Sequence, residues 1–401
     1  MNFQKEKLII VLTVLIDVIG IGIIIPILPF YVESFGVSEF VVTLLFSVFS
    51  FFAFFSAPLL GALSDKFGRR PMLLLSLLST SIGWFVFASA HSVLFLFLGR
   101  IIDGMAAGNL PIAQGYLIDI AKDERERTNN LGIIGAAFGI GFIVGPAIGA
   151  ALSHIHPVLP FWFVGGLAMA NVIGAFFFLP ESHLQKDHAK KIALNPVGPI
   201  IKALKDTSLK SRYTAWFLFG IAIAAIQSIF ALYLKSAFRA DAKFIGFVAT
   251  LMGILMVINQ AILLPRFWLK RFSESFLEIW LFLIYAGVFL LLSVPILPIF
   301  VAGLLLNVFF QSTLRIAISS QVAGMAGQHR RGEVLGILSS ILSLAMIIGP
   351  ILSGILFEIS LSLPFFMSSL SLLCAFFLMK YCGKHPSMKK QIKEGEVPQA
   401  L

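Results

Sequence analysis

The sequence predicts an all-α membrane protein: twelve transmembrane helices in two pseudo-symmetric six-helix bundles. Three observations predict it. The chain is 58% hydrophobic and only 12% charged, with a mean hydropathy of +0.96; soluble domains carry roughly 25% charged residues. Apolar runs long enough to cross a bilayer, about 20 residues, recur along the whole length. The two halves also echo each other. Gly132 and Gly145-Pro146 recur as Gly336 and Gly349-Pro350, an offset of 204 residues. A six-span internal repeat leaves such a trace.

In chain order the spans fall near 8–32, 40–62, 72–90, 93–119, 131–152, 161–180, 214–236, 244–265, 275–293, 296–320, 333–357 and 363–381. Such runs are too long for barrel strands of about 10 alternating residues. Helices satisfy every backbone group in lipid. The first run is too long for a secretory leader, carries Asp17, Pro26 and Pro29, and lacks a small-residue cleavage site. The organisation is therefore an N-terminal bundle over 1–182, a cytoplasmic linker over 183–212, a C-terminal bundle over 213–381 and a cytoplasmic tail over 382–401. The linker is the one long polar interruption, rich in Lys and His and carrying Pro196 and Pro199.

Net charge is +10, and its distribution decides what it means. With both termini in the cytoplasm, only Lys235, Arg239 and Lys243 of the 30 Lys and Arg fall in outer loops, and Arg100 and Arg315 lie within spans. This is the positive-inside asymmetry. A nucleic-acid partner is not expected, since no aromatic-interleaved basic face is present. Two cysteines, Cys374 and Cys382, and seven scattered His offer neither a disulfide framework nor metal spacing. No Walker A sequence and no nucleophile–base pair appear, so the chain reads as a non-enzyme without cofactor or metal.

Residues 61–71 read Gly61-Ala-Leu-Ser-Asp65-Lys-Phe-Gly68-Arg69-Arg70-Pro71, a charged turn between two long apolar stretches. The order G-x-x-x-D-x-x-G-R-R-P closely resembles the loop between helices 2 and 3 of the major facilitator superfamily of secondary transporters. The resemblance implies the major facilitator fold. It also implies a conformational latch made of Gly61, Asp65, Gly68, Arg69, Arg70 and Asp119. Asp65 would meet the start of the eleventh span near Glu333, and Arg69 or Arg70 would pair with Asp119.

The fifth span carries Gly135, Gly139, Gly141, Gly145-Pro146 and Gly149. Glycines four apart line one helix face and admit another helix closely, and a proline inside removes a backbone hydrogen bond. Plain packing is one reading. The string Gly141-x-x-x-Gly145-Pro146-x-x-Gly149 also resembles the antiporter motif of drug-exporting members of the superfamily, a contact expected to help the two halves seal. The first span, Asp17-Val-Ile-Gly20-Ile-Gly22-Ile-Ile-Ile-Pro26-Ile-Leu-Pro29, is similar to the first helix of tetracycline-type exporters. Gly99-Arg100-Ile-Ile-Asp103-Gly104 and Leu179-Pro180-Glu181-Ser182 extend the likeness over the N-terminal half, and it fades in the C-terminal half. Two departures stand out. The third span reads Ser81-Ile-Gly83-Trp84, and the ninth Ile284-Tyr285-Ala-Gly287, with no acid where the tetracycline exporters carry one.

Asp17 lies about nine residues into its span, and Arg100 and Asp103 are neighbours on one helix face. Buried ionisable groups in membranes face a cavity or a partner. These three are the proton-coupling candidates, the alternative being a self-neutralising Arg100–Asp103 pair. In the tenth span Asn307, Gln311 and Arg315 form a stripe at four-residue steps. With Gln227, Asn259 and Gln260 they are candidates for lining a substrate cavity; interhelical hydrogen bonding is weighed equally. The expected function is proton-coupled efflux of a small lipophilic or amphipathic compound, multidrug or tetracycline-like. The partners are that compound, protons and the lipid of a bacterial cytoplasmic (inner) membrane, and the chain is expected to act as a monomer. Metabolite or siderophore transport on the same fold is the alternative, and a non-transporting membrane sensor a more remote one.

Overall fold

The computed structural model describes residues 3–182, 197–206, 208–326 and 330–382. The tail expected at 382–401 and the segment 183–196 of the expected linker thus fall almost wholly outside the described residues. Within them every regular element is a helix, and twelve stretches are long and apolar enough to cross a membrane. The helices are α1 Phe3–Glu33, α2 Glu39–Phe67, α3 Arg69–Ala88, α4 Val93–Met105, α5 Asn109–Asp119, α6 Glu124–Ile155, α7 Leu159–Phe178, α8 Gly198–Lys205, α9 Lys210–Phe238, α10 Ala242–Ile258, α11 Leu269–Arg271, α12 Glu274–Leu292, α13 Leu297–Met325, α14 Arg331–Ile359 and α15 Leu363–Cys382. A π-helix, Asn259–Trp268, joins α10 to α11.

Two spans differ from the smooth helices the apolar runs predict. The fourth is broken between α4 and α5. Pro111 has no N–H to continue the ladder there, and two serines of other helices take up the freed groups. Ser56 Oγ donates to the Gly104 carbonyl at 2.6 Å and accepts from the Ala107 N–H at 3.2 Å. Ser76 Oγ accepts from the Gly108 N–H at 2.9 Å and donates to the Ala106 carbonyl. Backbone that leaves the helix inside a membrane must be re-satisfied in this way. The eighth span widens into the π-helix, which contains Pro265. Asn259 fastens it: its Nδ2 donates to Ser312 Oγ at 2.6 Å and Thr313 Oγ1 at 3.0 Å, and its Oδ1 accepts from Trp268 Nε1 at 3.0 Å.

The repeat is visible as packing. A methyl group placed on Gly145 of α6 would stand 2.7 Å from the Ile19 carbonyl oxygen of α1. One placed on Gly349 of α14 would stand 2.6 Å from Ala224 Cβ of α9. Equivalent glycines in the two halves therefore seat equivalent helices. Both halves are built around such close crossings, because without a hydrophobic drive in lipid, small residues and tight van der Waals contact hold helices together.

Among the described residues the halves pack together from one end of the molecule to about the middle of α6, where Gly139 meets Val257 of α10. At that end Gly354 of α14 packs on Thr43 and Phe40 of α2, and Gly246 of α10 on Ala150 and the Pro146 carbonyl of α6. Lys235 pairs with Glu33 across the same end. At the opposite end, where α1 begins and α15 finishes, Gly132 and Gly135 of α6 and Gly332 and Gly336 of α14 have no neighbour within 4 Å of an added Cβ. The molecule is thus closed at one face and splayed at the other.

Candidate functional site

Between the halves lies a cavity of about 410 Å³. Its wall is mostly apolar, with Ile24, Leu28, Phe46, Phe49, Trp84 and Met346 among the lining residues. Asp17, Arg100 and Asp103 also line it, joined by Thr80 and Asn109. The structure therefore brings the three proton-coupling candidates to one wall. Arg100 Nη2 stands 3.3 Å from Asp103 Oδ2. Its guanidinium carbon lies 3.8 Å from the centroid of Trp84, with Phe87 and Phe49 rings at 5.2 and 5.6 Å. Cation–π contact of this kind gains strength as water is removed. Arg100 Nε and Asp17 Oδ1 are both buried without a hydrogen bond. Asn109 Nδ2 donates to Thr80 Oγ1 at 3.3 Å and lies within hydrogen-bonding reach of Asp17.

The third span, Ser81-Ile-Gly83-Trp84, departs from the tetracycline-type exporters in having no acid there. The structure shows what stands there instead. Gly83 and Gly99 let α3 and α4 cross so closely that a methyl on either would sit under 3 Å from the other's carbonyl oxygen. That crossing lays Trp84 flat against Arg100. Trp84, Thr80 and Asn109 were missed, since an aromatic or a small polar residue in an apolar run carries no periodic signal.

The turn after α2 assembles as a charge cluster. Gly68 has φ 110°, and an added Cβ would collide with the Glu181 carboxylate; only glycine suits both demands. Glu181 caps α3 by accepting from the Arg69 N–H at 2.8 Å and the Arg70 N–H at 3.2 Å, the favoured placement of an anion at a helix N-terminus. Arg69 Nη1 pairs with Asp65 at 2.6 Å and its Nε with Asp119 at 2.9 Å. Gly115 leaves room for that guanidinium. Arg70 turns to the Phe176 carbonyl at 2.5 Å. Gly61 has open space except for Pro111 at 3.9 Å. Asp65 thus binds Arg69 within its own half. Glu333, its expected neighbour, pairs with Lys202 of α8 at 2.8 Å and Arg330 at 3.4 Å. Arg330 also reaches Asp206 at 3.1 Å. Burial pushes the Asp206 carboxyl up, and hydrogen bonds from Ser208, Arg330 and Leu209 together outweigh it, holding it below the usual aspartate value.

The glycine face of α6 turns to α1 and not to the other half. Gly141 meets Val18, Gly145 meets Ile19 and Gly22, Pro146 meets Gly22, and Gly149 meets Ile23 and Ile27. Contact between halves comes from the other side of α6, through Gly139 on Val257, Phe142 on Gly253 and Ala150 on Gly246.

The six C-terminal candidates separate. Gln227 lines the cavity. Asn259 does not: it is fully buried in the bonds that fasten the π-helix. Asn307 is buried and accepts from the Tyr285 hydroxyl at 2.6 Å. Interhelical bonding is thus the role of both. Gln260 and Arg315 are exposed and Gln311 half-buried. Arg212, placed by the sequence in the linker, lies inside α9, where its Nε and Nη2 meet both oxygens of Glu278 at 2.6 and 3.0 Å. Both side chains are essentially sealed. Among the described residues no group of His, Cys, Asp and Glu is placed to hold a metal.

The sequence model of the Major Facilitator Superfamily matches residues 10–277 and 213–401. The chain belongs to the Major Facilitator Superfamily. It is 28% identical over 372 residues to multidrug resistance protein 2 of Bacillus subtilis (strain 168), covering 91% of this chain and 92% of that protein. To the class C tetracycline resistance protein of Escherichia coli it is 28% identical over 366 residues, covering 90% and 92%. To the quinolone resistance protein NorA of Staphylococcus aureus (strain MSSA476) it is 27% identical over 370 residues, covering 91% and 93%. Among solved structures, the nucleoside transporter NupG superposes with a TM-score of 0.77 at 16% identity, covering 96% of this chain and all of that one. The fold and the family agree: this major facilitator protein is a multi-pass membrane transporter.

Proposed function

We propose that this transporter exports small lipophilic or amphipathic compounds across a bacterial inner membrane in exchange for protons. The relatives named for multidrug, tetracycline and quinolone resistance support the export of such compounds, and the apolar cavity wall suits them. The observation that carries the coupling is Asp17. One of its carboxylate oxygens, Oδ1, is buried without a hydrogen bond on a cavity wall. There a proton supplies the missing donor and a positively charged compound competes for the same oxygen.

The positive-inside asymmetry supports cytoplasmic termini, so the splayed end faces the cytoplasm and the molecule stands inward-open. A compound enters from that side, the halves rock, and the end now sealed by Gly354, Gly246 and Lys235 parts. Asp65, Arg69 and Asp119 then come against the start of α14 as the cytoplasmic end closes. The units that rock are 1–182 and 213–381, and one chain suffices. A panel of lipophilic cations and zwitterions in everted vesicles tests this. Accumulation should require an imposed proton gradient and stop when it is collapsed. Accumulation that ignores the gradient would rule out proton exchange.

A further inference from the structure

We infer, on the proton exchange proposed above, that Trp84 is a positioning residue: its ring holds the Arg100 guanidinium off Asp17 and so leaves that carboxylate to protons. A pairing that does not form points to this role. Arg100 Nε and Nη2 are buried without a hydrogen-bond partner among the described residues, and so is Asp17 Oδ1. Both side chains line one cavity. Asp103, which Arg100 approaches at 3.3 Å, is close enough to act on the Asp17 carboxyl. Spare guanidinium donors and a spare carboxylate oxygen on one wall ordinarily close on each other. A charge-assisted bond is stronger than a neutral one, and a charged group buried without partners is costly. Among the described residues no further charged side chain lines the cavity to divert either of them.

What Arg100 meets instead is a ring. Its guanidinium carbon lies 3.8 Å from the Trp84 centroid, with Phe87 at 5.2 Å and Phe49 at 5.6 Å. Indole offers a cation the best of the aromatic faces, and the attraction grows as water leaves. The indole is itself held. It is buried, Phe161 stacks on it at 6.3 Å and Phe87 meets it at 5.7 Å. The Gly83–Gly99 crossing fixes α3 against α4, since a methyl group on Gly83 would stand 2.8 Å from the Gly99 carbonyl oxygen. Arg100 is thus anchored at two points, Trp84 and Asp103, and neither is Asp17.

Released from the ring, Arg100 would supply the donor that Asp17 lacks. A cation in contact favours the ionised carboxylate. The paired Asp17 would then be closed to a proton and to a positively charged compound alike.

Dicyclohexylcarbodiimide tests this, because it adds to protonated carboxyl groups in apolar surroundings and spares carboxylates paired with a cation. Its yield on the peptide carrying Asp17 is read by mass spectrometry in the purified whole chain near neutral pH. Wild type and Trp84→Phe should both label. Trp84→Leu should lose labelling on the order of tenfold, and adding Arg100→Gln to it should return most of the yield. A wall that had merely collapsed would not be rescued by removing a second side chain. Labelling of Trp84→Leu at the wild-type level overturns the inference. So does a loss that Arg100→Gln does not reverse, or a Phe variant as unreactive as the Leu one; all three leave proton exchange at Asp17 standing. A wild-type Asp17 that labels at no pH overturns that exchange itself, and the inference with it.

Discussion

Arg212 and Glu278 show how a single pair of side chains can be misread from sequence and what it then contributes. An arginine at the end of a Lys-rich stretch carries no mark of burial in the sequence, and the expected linker over 183–212 includes it. The fold draws it into α9, where it meets Glu278 with both oxygens satisfied. Breaking a sealed pair strands the remaining charge and costs about 3–5 kcal/mol, whereas replacing both members by apolar residues is often neutral. Glu278→Ala should therefore lower the unfolding temperature in detergent sharply, and Arg212→Met with Glu278→Leu should restore most of it. A double variant as unstable as the single one would mean that the pair holds more than itself. Asp17, Arg100 and Asp103 were legible as residues, because charge inside an apolar run is conspicuous. Trp84, which faces Arg100 at 3.8 Å, was not, since aromatics abound in these helices. Asn259 and Asn307 are buried in bonds between helices, a role that four-residue spacing does not separate from cavity lining, because periodicity names a face and not what lies against it.

At the scale of helices, the spans were legible because length and hydropathy alone set them. The break between α4 and α5 was not: glycines and a proline in an apolar run look like packing until Ser56 and Ser76 arrive from other helices. The glycine face of α6 was legible as a close crossing, and only the structure names α1 as the helix it meets. That assignment changes what a bulky residue there does. Gly145→Leu would drive a side chain into Ile19 and Gly22, and overpacking costs about 1–3 kcal/mol. Because α1 carries Asp17, the displacement reaches the cavity wall. The variant should be less heat-stable and should lose coupled transport. Gly135→Leu, at a position with open space, should keep its stability. Equal melting of the two variants would mean that the α1–α6 crossing is not tight.

Over the whole molecule, the duplicated halves, the seal at one end and the opening at the other describe a carrier caught with its cavity open to the side of its termini. The offset of 204 residues made the duplication readable; which end is closed is a property of contacts between halves and leaves no mark in either repeat. In the proposed mechanism protons and substrate share the wall formed by Asp17, Arg100 and Asp103. Transport by Asp17→Asn and Asp103→Asn proteins in proteoliposomes, under a proton gradient and in gradient-free counterflow, tests that sharing. At least one variant should lose gradient-driven accumulation while keeping counterflow, since an amide mimics the protonated acid and leaves substrate binding in place. Full gradient-driven accumulation by both variants would contradict it.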